Sequence, residues 1–183
     1  MALLIAGLIL WVGAHLFKRL APDARAKLGD PGKAIIGVAL LISLVLIVIG
    51  YRSADDTAIF WNKTEAMTGV NNLLMVFAVY LYAASGMKTR ITAIIRHPQL
   101  TAVKTWAVAH LLVNGDLASI VLFGTMLVWA VVEVIVINRA NRIWTRPAPA
   151  PKGKEIGAIV GTVLVVGVIG FIHNWLGYWP FGG

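Results

Sequence analysis

The chain has 183 residues, 59% of them hydrophobic and only 13% charged, with a mean hydropathy of +0.82. Soluble domains carry about 25% charged residues, so the composition excludes an ordinary soluble protein and points to one compact domain in a membrane. The net charge of +8 would suggest nucleic acid in a soluble chain, and the lack of any cysteine excludes disulfides and thiolate ligands.

Apolar runs cover residues 2–17, 34–50, 70–87, 100–113, 117–137 and 156–176, against the ~20 residues that a helical span needs. The first has no charge ahead of it and Lys18-Arg19 behind it, so it reads as a retained helix, not a cleaved signal peptide. The third opens on Asn71 and Asn72, either of which can cap it. The fourth is short, but a helix there starts at Pro98, proline being favoured at the first helical position. Asn114-Gly115-Asp116 is a turn signal that makes the fourth and fifth runs a tight hairpin. Pro147-Ala148-Pro149-Ala150-Pro151 reads as a stiff linker, and Gly157 and Gly161 of the sixth run form a Gly-x-x-x-Gly pair that lets another helix approach.

Basic residues gather on alternate connections: Lys18, Arg19, Arg25, Lys27 and Lys33; Lys88, Arg90, Arg96 and Lys104; Arg139, Arg142, Arg146, Lys152 and Lys154. Only Arg52 and Lys63 remain for the other side. The positive-inside rule puts the rich connections in the cytoplasm. The expectation is an all-α polytopic bundle of about six transmembrane helices, one domain over 1–183, in the bacterial inner membrane with both termini periplasmic. The basic excess is then a topology signal, and no nucleic-acid partner is expected. Phe60-Trp61, Trp175, Tyr178, Trp179 and Phe181 suit an outer interfacial belt.

His110 stands inside the fourth run. An ionisable group within a membrane helix is costly and is by default a functional-site hypothesis with a partner to be found; the alternative is a structural imidazole bonded to a neighbouring helix. His97 lies 13 residues earlier, ~20 Å along a helix, so the two cannot share an ion. His173 belongs to the outer end of the sixth run, which leaves His15 as the deeply placed candidate. Two imidazoles across a bundle can hold a metal or a haem iron, whereas a bare zinc lacks further ligands. Trp106, Ala107, His110 and Asn114 share one stripe, and Gly7, Trp11 and His15 another. Their small residues leave room for a flat macrocycle, though the same stripes serve ordinary helix packing. Glu133 is expected to pair with Arg139, Arg142 or His97. For His15 and His110 to meet, the first helix must run past Phe17 or the fourth must begin outside the hydrocarbon.

The pattern Arg96-His97-Pro98, then Trp106-Ala107-Val108-Ala109-His110, then Asn114-Gly115-Asp116 resembles the NnrU family of bacterial membrane proteins. Read with His15, it also resembles the related 15-cis-ζ-carotene isomerase, and the similarity spans nearly the whole chain. The resemblance implies haem b, with His15 and His110 as the iron's axial ligands and Trp11, Trp106, Ala107 and Asn114 beside it. Arg96 and His97 would be structural or cofactor-orienting. The isomerase carries a cysteine where Ala107 stands, so its redox ligand switch is not expected here. The NnrU family is associated with denitrification and nitric oxide metabolism, which implies an electron carrier, sensor or haem enzyme. Its partners would be membrane lipid, a lipophilic small molecule or nitric oxide, and a redox partner. Two alternatives stand beside this: a haem-dependent cis–trans isomerase of a carotenoid-like lipid, and a methyltransferase-like protein. In the latter, Arg96, His97 and Glu133 would hold a polar cofactor, because Arg-His-Pro also occurs in the isoprenylcysteine methyltransferase and sterol reductase group.

Overall fold

Helix ends fall where proline and capping chemistry put them. In a computed structural model, which describes residues 1–54, 57–148 and 150–181, α1 runs over Ala2–Leu20 and stops before Pro22. Proline disfavours a helical residue ahead of it but opens a new helix well, so Pro22 starts the short α2 (Pro22–Lys27). The basic connection expected at 18–33 is therefore partly helical. The next helix, α3, spans Gly32–Arg52. The following one, α4 (Glu65–Met87), begins earlier than its apolar run. Its cap is Thr64, which accepts from the Met67 amide at 3.2 Å. Asn71 and Asn72 thus lie inside the helix, bonded to each other at 3.1 Å, and neither caps it.

Pro98 opens α5 (Pro98–Val113) as its spacing predicts, and α6 (Leu117–Ala140) and α7 (Lys152–Trp175) complete the bundle. The α5–α6 turn is more than a hairpin. Gly115–Asp116 forms β2, pairing antiparallel with β1 (Ile59–Trp61) of the α3–α4 connection. Gly115 is required there, because a side chain would collide with the Trp61 carbonyl and indole. The Trp61 N–H donates to the Leu111 carbonyl at 3.1 Å, so this tryptophan buttresses the end of α5 as well as suiting a belt. Asp116 caps α6, accepting from the Ser119 amide at 2.8 Å. In the linker before α7, Pro149 lies outside the described residues, and residues 141–148 form no helix or strand.

Among the described residues, five helices (α1, α3, α4, α6 and α7) are long and apolar enough to cross a membrane. The sixth expected span, α5, has 16 residues, ~24 Å at 1.5 Å per residue. It falls short as a free-standing span and compensates by position, packed between α4 and α6, where protein covers its polar groups. The neighbour order is α3, α1, α6, α5, α4, α7. The core centres on α6, whose Leu122, Phe123, Met126, Trp129 and Ala130 meet Leu8 and Leu16 of α1 and Val103 and Ala107 of α5. Val38 and Leu41 of α3 and Val163 and Phe171 of α7 turn outward. In a bilayer such side chains meet lipid at no hydrophobic cost.

The closest helix approach is not at the Gly-x-x-x-Gly pair. Gly161 faces open space, while a Cβ on Gly157 would meet only the tip of the Met87 side chain, its sulfur at 3.2 Å. The tight seam is α1 on α3. A Cβ on Gly7 would stand 2.8 Å from the Ile47 amide nitrogen, and one on Gly50 would overlap the backbone of Leu3 and Leu4. Small residues let helices come together where they face a neighbour, and sequence spacing alone does not say which ones do.

Candidate functional site

Trp11, His15 and Arg19 follow one another at intervals of four along α1 and so share a face. That face lies on Trp129 and Glu133 of α6. The His15 ring is 4.4 Å from Trp11 and 4.6 Å from Trp129, and the two indoles meet edge to face at 5.6 Å. His15 Nδ1 bonds the Trp11 carbonyl at 2.9 Å. One turn further in, Arg19 Nε reaches Glu133 Oε1 at 3.8 Å. This corrects the expected partner of Glu133. The acid faces α1, away from Arg139, Arg142 and His97.

The second imidazole is built the same way from α5. His110 Nδ1 bonds the Trp106 carbonyl at 3.0 Å. Its ring lies 5.2 Å from Trp106 and 4.5 Å from Phe123. Ala107 is fully buried one turn below, in the core. Asn114 donates to the His110 carbonyl at 2.9 Å, so its amide closes the end of α5. Beyond Phe123, the Tyr51 hydroxyl bonds Ser119 Oγ at 2.8 Å, and Ser119 in turn donates to Asp116 at 2.6 Å.

His15 packs on Trp129 and His110 on Phe123, six residues apart on α6 and hence ~9 Å apart in depth. Among the described residues the two imidazoles share no ring contact with each other. One of the two adjustments that would bring them closer is present: α1 continues past Phe17 to Leu20. Both helices pack on α6 without close backbone packing on one another.

The Arg-His-Pro mouth is engaged elsewhere. His97 Nε2 bonds Asn138 Oδ1 at 2.8 Å, and the Arg96 guanidinium donates to the Asn141 carbonyl. Both tie the start of α5 to the end of α6, more than one helix turn beyond Glu133. His173 repeats the pattern of the other two imidazoles, its Nδ1 bonding the Ile169 carbonyl at 2.8 Å near the C-terminal end of α7. Trp129, Phe123, Arg19 and Tyr51 were not singled out by sequence. For Trp129 the signal was available, since it stands one turn before Glu133.

The family model described as NnrU protein matches residues 3–180. The chain belongs to the NnrU family. No curated protein and no solved structure matches it. Among the described residues of this NnrU chain, no three metal-ligating side chains converge. A metal held by its imidazoles would therefore be one that brings most of its own ligands.

Proposed function

We propose that this NnrU-family protein holds a b-type haem between α1 and α5, with His15 and His110 as the axial ligands. It would act in the bacterial cytoplasmic membrane, in nitric oxide and denitrification metabolism, with both ends of this chain on the outer side. The observation that carries the reading is the place of the two imidazoles, one on each helix flanking α6, against Trp129 and Phe123. Each gives Nδ1 to the carbonyl four residues before it. That bond fixes the tautomer and leaves Nε2 with a free lone pair, as metal-ligating histidines are usually held.

The surrounding residues fit such a group. Trp11 and Trp129 wall the His15 side, and Trp106 and Phe123 the His110 side. Ala107 keeps the α5 face low beside His110. When bound, haem supplies an iron that changes charge by one electron, with a potential set by its axial ligands and burial. The chain's own part is to grip both axial positions, exclude water with four aromatic rings, and hold the ring orientations through backbone carbonyls. Two fixed imidazoles favour electron transfer. With Ala107 in place of a thiol, no second ligand stands one turn from His110 to exchange with it, which weighs against the isomerase reading. The methyltransferase-like reading loses its polar mouth, since Arg96 and His97 are bonded to the end of α6. The protein purified from its membrane should carry about one haem per chain by pyridine haemochrome assay. A haem-free protein that cannot be loaded with haem would overturn the proposal.

A further inference from the structure

Three buried polar atoms in the inner half of the α1–α6 seam have no hydrogen-bond partner: the indole nitrogens of Trp11 and Trp129, and Glu133 Oε2. Trp129 and Glu133 are only 6% and 8% exposed. An unsatisfied buried group is destabilising, and at membrane depth bulk water is not at hand to relieve it. The residues that carry them are neighbours, not scattered. Trp129 and Glu133 lie one turn apart on α6, and the Trp11 and Trp129 rings meet at 5.6 Å. Arg19 engages only the other oxygen of Glu133.

On the lipid side of the same seam runs an apolar groove of about 510 Å³, lined by Val12, Leu16, Gly124, Val128, Trp129 and Val132. It shares Val12 and Leu16 with a second groove of about 600 Å³ along α1. A Cβ on Gly124 would meet nothing within 4 Å, so the glycine adds to its depth. Trp129 lines the groove and itself carries one of the three unpaired atoms, so it joins the two features.

The chemistry of the unpaired atoms selects the guest. Two N–H groups need an acceptor oxygen, and Glu133 Oε2 needs an O–H donor. A fatty acid carboxylate offers no donor and would be repelled by Glu133. A flat ring fits among indoles, and an apolar tail fits the grooves. We propose that the α1–α6 seam binds the head of a bilayer-soluble hydroquinone, with Glu133 accepting from one of its hydroxyls and the indoles of Trp11 and Trp129 donating to its oxygen. This names the chemical class of the redox partner that the haem reading calls for; it rests on that reading for its purpose but not for the binding itself.

The test is saturable retention of decyl-benzohydroquinone by nanodisc-embedded protein over empty nanodiscs, under argon, measured with haem-free and haem-loaded protein. Retention should saturate in both forms. It should weaken at least tenfold in Glu133→Gln and Trp129→Phe and stay unchanged in Trp179→Phe, whose indole lies in the outer tail. Helical circular dichroism establishes that each variant is folded, and Trp11→Phe serves as a further variant should either of the first two fail to fold. Equal retention in wild type and folded seam variants would overturn the proposal. So would retention that rises linearly without saturation, or equal displacement by decanol, which would show a general acyl groove. Saturable binding to a protein that takes up no haem would support the seam and sink the haem reading alone.

Discussion

His110→Ala is expected to abolish or strongly alter the low-spin absorption of the haem protein, and His15→Ala to do the same, while His173→Ala leaves it intact. All three imidazoles tie Nδ1 to their own helix, so hydrogen bonding does not set them apart. What sets them apart is place. His15 and His110 lie on the two helices that flank α6, against Trp129 and Phe123, whereas His173 lies near the C-terminal end of α7, which packs on α4. With one axial imidazole gone, the remaining iron should turn high-spin and bind carbon monoxide readily. The absorption spectrum with and without carbon monoxide reads both changes. Unaltered low-spin spectra in both His15→Ala and His110→Ala would rule out this pair as ligands.

Gly50→Leu should unfold or split the bundle. Its new side chain would overlap the backbone of Leu3 and Leu4, and backbone cannot move aside as a side-chain tip can. Overpacking a tight contact is destabilising by about 1–3 kcal/mol and occasionally more. Here the whole α1–α3 seam has to separate, so the upper end or beyond is expected. Because α1 carries His15, haem retention should fall with it. Gly161→Leu makes the contrast: the glycine belongs to the sequence's Gly-x-x-x-Gly pair yet faces open space, and its variant should melt like the wild type. Thermal unfolding in detergent followed by circular dichroism compares the two. Equal melting temperatures would mean that α1 and α3 do not meet at Gly50.

Much of this arrangement is legible in the chain because bilayer physics is coarse. Apolar length and alternating basic connections outline the spans, and Pro98 and the Asn114-Gly115-Asp116 turn mark the ends of α5. What the chain does not reveal depends on helix rotation. Whether Gly161 or Gly50 meets a neighbour, and whether Glu133 faces Arg19 or His97, is decided by which way α7, α3 and α6 are turned about their axes. Nearly uniform apolar composition leaves no strong amphipathic stripe to read that from. The start of α4 was displaced for a different reason. Thr64 supplies the cap, and Glu65 and Thr68 interrupt the apolar pattern of the first turn. The β1–β2 pairing joins segments more than 50 residues apart, and no local signal announces it. His15 and His110 were accessible because ionisable residues in apolar runs are rare, while their aromatic walls became visible only once α6 was in place.

The central claim is that two imidazoles, one from α1 and one from α5, bind one iron. Low-temperature electron paramagnetic resonance of the ferric purified protein tests it most directly. A low-spin ferric signal typical of bis-imidazole haem, lost in both His15→Ala and His110→Ala and kept in His173→Ala, is the predicted result. A high-spin signal in the unmodified protein, or a low-spin signal that survives both substitutions, would contradict it.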